Sequence, residues 1–260
     1  MQLEFFSATD TGRSRTNNED SVAVDTTSSL IVLADGMGGY NAGEVASNMA
    51  TTFISTELGR WLVEASATAT DADVRRAMDI CVDNANRAIY NAANSNPQYA
   101  GMGTTLVVGV FRDNRLLLGH VGDSRGYRMR GGQLARITHD HSLLQEQIDA
   151  GLITEEQAAF SANKNLVTRA VGVEPDVQLE SRLHEMLPGD LVLLCSDGLS
   201  DMLDDDHIAT LLQSCESIEA AARTLIDAAN EAGGKDNIAV ILVRMQGTGS
   251  TGRSWWPFKT

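Results

Sequence analysis

Leu30-Ile31-Val32-Leu33-Ala34-Asp35-Gly36-Met37-Gly38-Gly39 is an unbroken apolar run that ends in an acid and a glycine-rich turn. Such a run, partly β-branched and flanked by turn residues, reads as a strand buried on both faces. Asp35 is therefore delivered at the edge of a core and not on a free loop. The glycines allow a sharp turn and a close backbone approach to a ligand. A carboxylate pinned beside apolar packing is costly unless a cation pairs with it. The rest of the chain must supply either that cation or enough further carboxylates to hold a metal.

Outward from this strand, residues 3–9 and 21–25 alternate like strands, and the polar segment from Asp10 to Asp20 joins them. After it, Val45, Ala46, Met49, Phe53, Ile54, Leu58 and Trp61 recur at helical spacing within 41–62, and a second such pattern fills 71–93, with Asp71 as its expected N-cap. Strands are predicted over 103–111, 115–121, 124–130 and 133–137. Asp113-Asn114 and Gly131-Gly132 stand where hairpins need turns. Residues 139–170 are polar and helical in patches, with Gly151 a helix stop. Strands return at 177–184 and 190–196, a helical stretch covers 206–231, and a last strand runs over 237–245. Paired helices between blocks of hairpin strands disfavour a parallel doubly wound sheet and favour an antiparallel α+β layered fold. Residues 1–245 read as one domain. The tail 246–260 reads as a flexible end, or else its Trp255-Trp256 cluster docks on a partner or membrane surface.

Composition narrows the function. Lys and Arg number 20 against 35 Asp and Glu, a net charge of -15 over 260 residues, which argues against nucleic acid or an anionic membrane as partner. Cys81, Cys195 and Cys215 show no paired spacing and fit a reducing compartment. The first residues lack a signal-peptide pattern, and no apolar run has membrane-spanning length. A soluble, cytoplasmic protein is the expectation. No coiled-coil pattern appears, and a monomer is the default.

The acids carry the chemistry. Asp35 and Asp197 end strands in the same style, Asp123 ends a third in Gly119-His120-Val121-Gly122-Asp123, Asp236 opens the last strand, and Glu19 and Asp20 precede the strand at 21–25. Singly, each fits a turn-capping role. Together they would repel one another, with no matching set of basic residues to neutralise them. Hard divalent cations resolve this, and Mg²⁺ or Mn²⁺ suit carboxylate, carbonyl and water ligands. The five histidines show no recognised ligand spacing, and His139 and His141 read as the edge of the helix that follows. Arg15, four residues before Glu19, is the cation that could grip two oxygens of a phosphate, with Arg13 and Arg125 as weaker candidates. Two metal ions roughly 3.5–4 Å apart plus an arginine fork form the apparatus of phosphoester hydrolysis.

At this point the ordered motifs resemble the metal-dependent protein phosphatases (the PPM, or type 2C, family), particularly their compact bacterial members. The motifs are Arg15 to Asp20, Asp35-Gly36-Met37-Gly38-Gly39, Gly103-Thr104-Thr105, Gly122-Asp123-Ser124-Arg125, Thr168-Arg169-Ala170-Val171-Gly172, Ser196-Asp197-Gly198-Leu199 and Asp236-Asn237. The resemblance covers about residues 4–244. It implies a four-layer αββα sandwich, two antiparallel sheets with helix pairs outside and metals at one end. It also implies that Asp35 bridges two ions, that the Gly36 carbonyl binds one of them, and that Asp197 and Asp236 complete the other. Asp123 with Asp197 would hold a third, looser ion. Glu19 and Asp20 match positions that hold metal-bound waters, Arg15 matches the arginine that holds substrate phosphate, and residues near 139–165 resemble a flap. Met37 stands where many eukaryotic relatives carry a histidine as leaving-group acid, which leaves that acid unassigned; a metal-bound water could donate the proton. The implied activity is hydrolysis of phosphoserine and phosphothreonine on proteins, opposing bacterial Ser/Thr kinases. Three alternatives stand beside it: an enzyme for one dedicated phosphoprotein in a partner-switching pathway, a non-catalytic phosphoprotein-binding module, and a small-molecule phosphatase.

Overall fold

Successive side chains of one strand enter two different cores, because side chains on a strand point alternately to opposite faces. In β3 (Leu30–Met37), Leu30, Val32 and Ala34 pack with the helices, while Ile31 and Leu33 pack with side chains of a second sheet. The computed structural model describes residues 2–39, 42–65, 68–154, 157–158, 161 and 166–247. The expected helix start at Asn41, part of the expected flap and the tryptophans of the tail lie outside them.

One sheet has the order β1 (Gln2–Asp10), β11 (Ile238–Gln246), β10 (Leu191–Cys195), β7 (Arg125–Arg130), β8 (Gln133–Arg136). The other runs β2 (Asp20–Asp25), β3, β5 (Leu106–Arg112), β6 (Arg115–Val121), β9 (Glu180–Glu185), with the short β4 (Gly103–Thr104) paired to the end of β3. Every pairing is antiparallel. Between the sheets lie Phe111, Leu116, Leu118, Val192, Leu194, Ile241 and Val243. Outside one sheet, α1 (Ala42–Ala65) and α2 (Asp71–Ser95) cover Leu30, Val32, Leu106 and Val108. Outside the other, α5 (Asp205–Ser214) and α6 (Ile218–Glu231) cover Leu193, Cys195, Val240 and Leu242. The four-layer αββα expectation is met.

Local differences have local causes. Thr70, not Asp71, caps α2: its hydroxyl accepts the Asp73 N–H while the Asp73 carboxylate accepts the Thr70 N–H, a reciprocal capping box. Asp71 is the first helical residue and pairs with Arg115. The helical stretch expected over 206–231 is two helices, because Ser217 starts α6 anew by accepting the Ala220 N–H. The strand expected over 103–111 breaks at Thr105, and β3 continues past Asp35 to Met37. Gly151, at φ +68°, follows the end of α3 (Leu143–Asp149) as expected. The link between β6 and β7 is a crossing from one sheet to the other, with Asp123 at its corner.

Candidate metal centre

The acids reach one end of the sandwich because the backbone around each is separately fastened. Asp35 donates its N–H to the Thr105 hydroxyl (3.1 Å) and its carbonyl accepts from the Thr105 N–H (2.8 Å) and the Thr104 hydroxyl (2.8 Å). The Thr105 hydroxyl in turn bonds that of Ser124 (2.8 Å), beside Asp123. Asp20 lies directly opposite Asp35 in the β2–β3 register, and its Oδ2 accepts from the Ser196 hydroxyl (2.7 Å). Ser196 precedes Asp197, which opens the short helix α4 (Asp197–Ser200). Asn237 accepts the Glu19 N–H at 2.8 Å and donates to the carbonyls of Thr11 (2.9 Å) and Asn17 (2.8 Å), which ties the Arg15 loop to β11.

Two close approaches demand glycine. A Cβ on Gly36 would lie 2.1 Å from the Gly43 carbonyl oxygen at the start of α1, and one on Gly198 would lie 1.9 Å from the Asn237 carbonyl oxygen. The first contact seats the Asp35 turn on the helix. The second presses the Asp197 turn against the Asp236 turn. Glu19 reaches the same helix start, its carboxylate carbon 2.9 Å from where a Cβ on Gly43 would stand, and burial raises it above the usual carboxylate range.

The result is a cleft of about 200 Å³ lined by Arg15, Glu19, Asp35, Gly36, Asp123, Asp197 and Asp236, with Met37, Thr105 and Val167 among its other walls. Asp20 lies buried beside Asp35. Burial and the carboxylates of Asp20, Asp197, Asp123 and Asp236 push Asp35 well above the usual carboxylate range. Burial and Asp123, Asp201 and Asp236 do the same to Asp197. Asp20 is raised to about 7, chiefly by burial. Asp123 is raised to about 6, by burial and then by Asp140. Arg15 donates to Asp236 (2.7 Å) from a half-exposed position at the rim.

These donors fit a hard divalent cation. They are all oxygens, they crowd like charges that a cation would relieve, and Asp20 Oδ1 is buried with no hydrogen-bond partner among the described residues. Arg125 does not join them: its guanidinium forks onto Asp140 and reaches the Tyr127 hydroxyl, so it is no phosphate grip. Arg13 is exposed on the same loop as Arg15, with its N–H on the Gly234 carbonyl (2.7 Å). Thr105, Ser124, Ser196 and Asn237 stand in the sequence motifs without an assigned role, and here their hydroxyls and amide set the acids. The available signal was their position, each one or two residues from an acid or opposite one in register.

A cleft of this kind points to a class, the metal-dependent phosphoester hydrolases. Comparison with known proteins narrows it. The family model described as Protein phosphatase 2C matches residues 10–243. The serine/threonine phosphatase stp of Listeria monocytogenes is 37% identical over 94% of this chain and 95% of its own length. The serine/threonine protein phosphatase PstP of Mycobacterium tuberculosis is 41% identical over 93% of this chain, which spans 45% of that protein. A crystal structure of the PstP catalytic domain in complex with two manganese ions superposes with a TM-score of 0.82 at 38% identity, covering 94% of this chain and 99% of that one. The chain belongs to the protein phosphatase 2C family. Its activity is the metal-dependent dephosphorylation of phosphoserine and phosphothreonine on proteins, with Mn²⁺ or Mg²⁺ as cofactor.

Proposed function

We propose that Asp35, the Gly36 carbonyl, Asp197 and Asp236 hold the two ions, that Asp123 with Asp197 holds a third more loosely, and that Arg15 binds the substrate phosphate. The carrying observation is the convergence of these carboxylates on one cleft with Arg15 as the basic side chain on its wall. When bound, the ions make a nucleophilic water available near neutral pH and draw charge from the phosphoryl oxygens. The residues do the rest by position. Thr104 and Thr105 fix the Asp35 backbone, Ser196 orients Asp20, and Glu19 reaches the start of α1. Arg15 exchanges Asp236 for two oxygens of the incoming phosphate, a charge-assisted fork at the cleft mouth. Met37, also on the wall, has no proton to give a leaving group.

Residues 1–245 act as the phosphatase domain, and 246–260 lie outside it. The protein works as a cytoplasmic monomer on phosphorylated proteins, and the Ser/Thr kinases of the same cell and their substrates are its partners. Among the described residues, no helix is long and apolar enough to cross a membrane. The test is phosphate release from a phosphothreonine peptide by protein stripped with chelator. Activity that returns only with Mn²⁺ or Mg²⁺, and falls when Arg15 is replaced, supports the reading. Turnover indifferent to both contradicts it.

A further inference from the structure

At the corner where the chain crosses between sheets, Gly122 takes a φ of +103°. Both of its backbone polar groups are tied to one residue. His141 donates its N–H to the Gly122 carbonyl (2.9 Å), and its ring Nδ1 accepts the Gly122 N–H (3.2 Å). On its other side, the His141 carbonyl accepts the Thr168 N–H (2.8 Å). The next residue, Ser142, bridges to Val167, which lines the cleft. His141 therefore joins the Asp123 corner to both ends of the segment that runs from α3 back to the cleft wall.

The bonds fix the tautomer. An amide N–H only donates, so Nδ1 carries a lone pair and the neutral ring holds its proton on Nε2. That proton faces Glu180 Oε2 (3.3 Å). Arg169 Nη1, at 3.5 Å, is a second donor and cannot replace it as acceptor. His120 stacks on the ring with centroids 4.7 Å apart and planes at 16°, and its Nε2 donates to the His139 carbonyl (2.7 Å). Burial holds both imidazoles below the usual histidine pKa, in keeping with neutral rings.

His120, His141 and Glu180 also have potential metal-ligand atoms within 4.8 Å of one another. The ring geometry opposes that use. An ion held by two imidazoles lies near the plane of both, and two nearly parallel stacked rings share no such point close by. One nitrogen of each ring is already spent on the backbone, and His141 carries its proton on the other.

We infer that His141 is a positioning residue for Asp123: its Nδ1 and N–H clamp the Gly122 corner that presents the third cation's carboxylate. The inference rests on the Asp123 assignment proposed above. Chelator-treated protein would be titrated with Mn²⁺ alone, and free ion counted by electron paramagnetic resonance. Wild type would be compared with Asp123→Ala, His141→Ala and His141→Asn. Asn can place an amide oxygen where Nδ1 stands. The expected pattern is loss of the weakest site in Asp123→Ala, that site weakened roughly tenfold or more in His141→Ala with the tighter sites kept, and near-recovery in His141→Asn. No change in Asp123→Ala would remove the underlying assignment. Loss in Asp123→Ala with wild-type binding in His141→Ala would overturn this inference alone. Equal loss in His141→Ala and His141→Asn would also overturn it, as would a tightly held transition metal lost on replacing His141.

Discussion

Replacing Asp20 with Asn is expected to stabilise the metal-free protein, and more so as pH rises. Asp20 is buried opposite Asp35, and its pKa stands at about 7 against 3.8 in the unfolded chain. A raised folded-state pKa means the folded protein holds the proton more tightly. The stabilisation is full below about pH 3.8 and is lost as pH climbs through about 7. At about 1.36 kcal/mol per pH unit the whole loss is about 4 kcal/mol, of which roughly 3 kcal/mol falls between pH 5 and pH 8. Asp20 and Asp35 titrate as a pair, so this proton belongs to both. Asn keeps an acceptor for the Ser196 hydroxyl and has no charge to bury. The assay is urea unfolding of chelator-treated wild type and Asp20→Asn, followed by circular dichroism at both pH values. Taking the difference between the two proteins cancels His120 and His141, whose depressed pKa values act the other way, costing stability as pH falls. The advantage of the variant should grow by roughly 3 kcal/mol from pH 5 to pH 8 and vanish in saturating Mn²⁺. An advantage that is flat or shrinks with rising pH would refute the reasoning.

Three further outcomes are expected. Gly43→Ala gains about 1 kcal/mol of helix propensity, yet its Cβ would meet Gly36 and Glu19 at 2.7–2.9 Å. Overpacking of about 1–3 kcal/mol should win, with a lower thermal midpoint and reduced activity. Thr70→Ala removes the capping box of α2 and should cost about 1 kcal/mol in denaturant unfolding while leaving turnover of a phosphopeptide unchanged. Arg15→Ala should lower kcat/KM by about tenfold to a hundredfold through loss of charge-assisted bonds worth about 1.5–3 kcal/mol, with Arg15→Lys in between.

Much of the fold was legible because burial imprints a period on the chain. Leu30 to Ala34 read as a strand covered on both faces, and it divides its side chains between the helix layer and the second sheet. The helices over 41–62 and 71–93 showed their apolar stripes. What stayed hidden depends on hydrogen bonds that carry no periodicity. The break between α5 and α6 rests on the Ser217 hydroxyl, and the break at Thr105 on bonds to Asp35, 70 residues earlier. The acids were legible as a set through their places at strand ends. Their supports were not, since Ser196 and Asn237 reach Asp20 and Glu19 across 176 and 218 residues of sequence. Arg125 was a weaker candidate for the phosphate grip than Arg15, and Asp140 occupies it through a fork that residue spacing does not announce.

The central claim is that the converged carboxylates would hold two cations and that Asp35 is needed to hold them. The direct measurement is a Mn²⁺ titration of chelator-stripped wild type and Asp35→Asn, with bound ions counted and phosphothreonine-peptide hydrolysis read on the same samples. The account predicts two tightly held ions and metal-dependent turnover in the wild type. In the variant it predicts loss of tight binding and a fall in rate on the order of a thousandfold or more, about 4 kcal/mol. Full binding and turnover in a folded Asp35→Asn would contradict it.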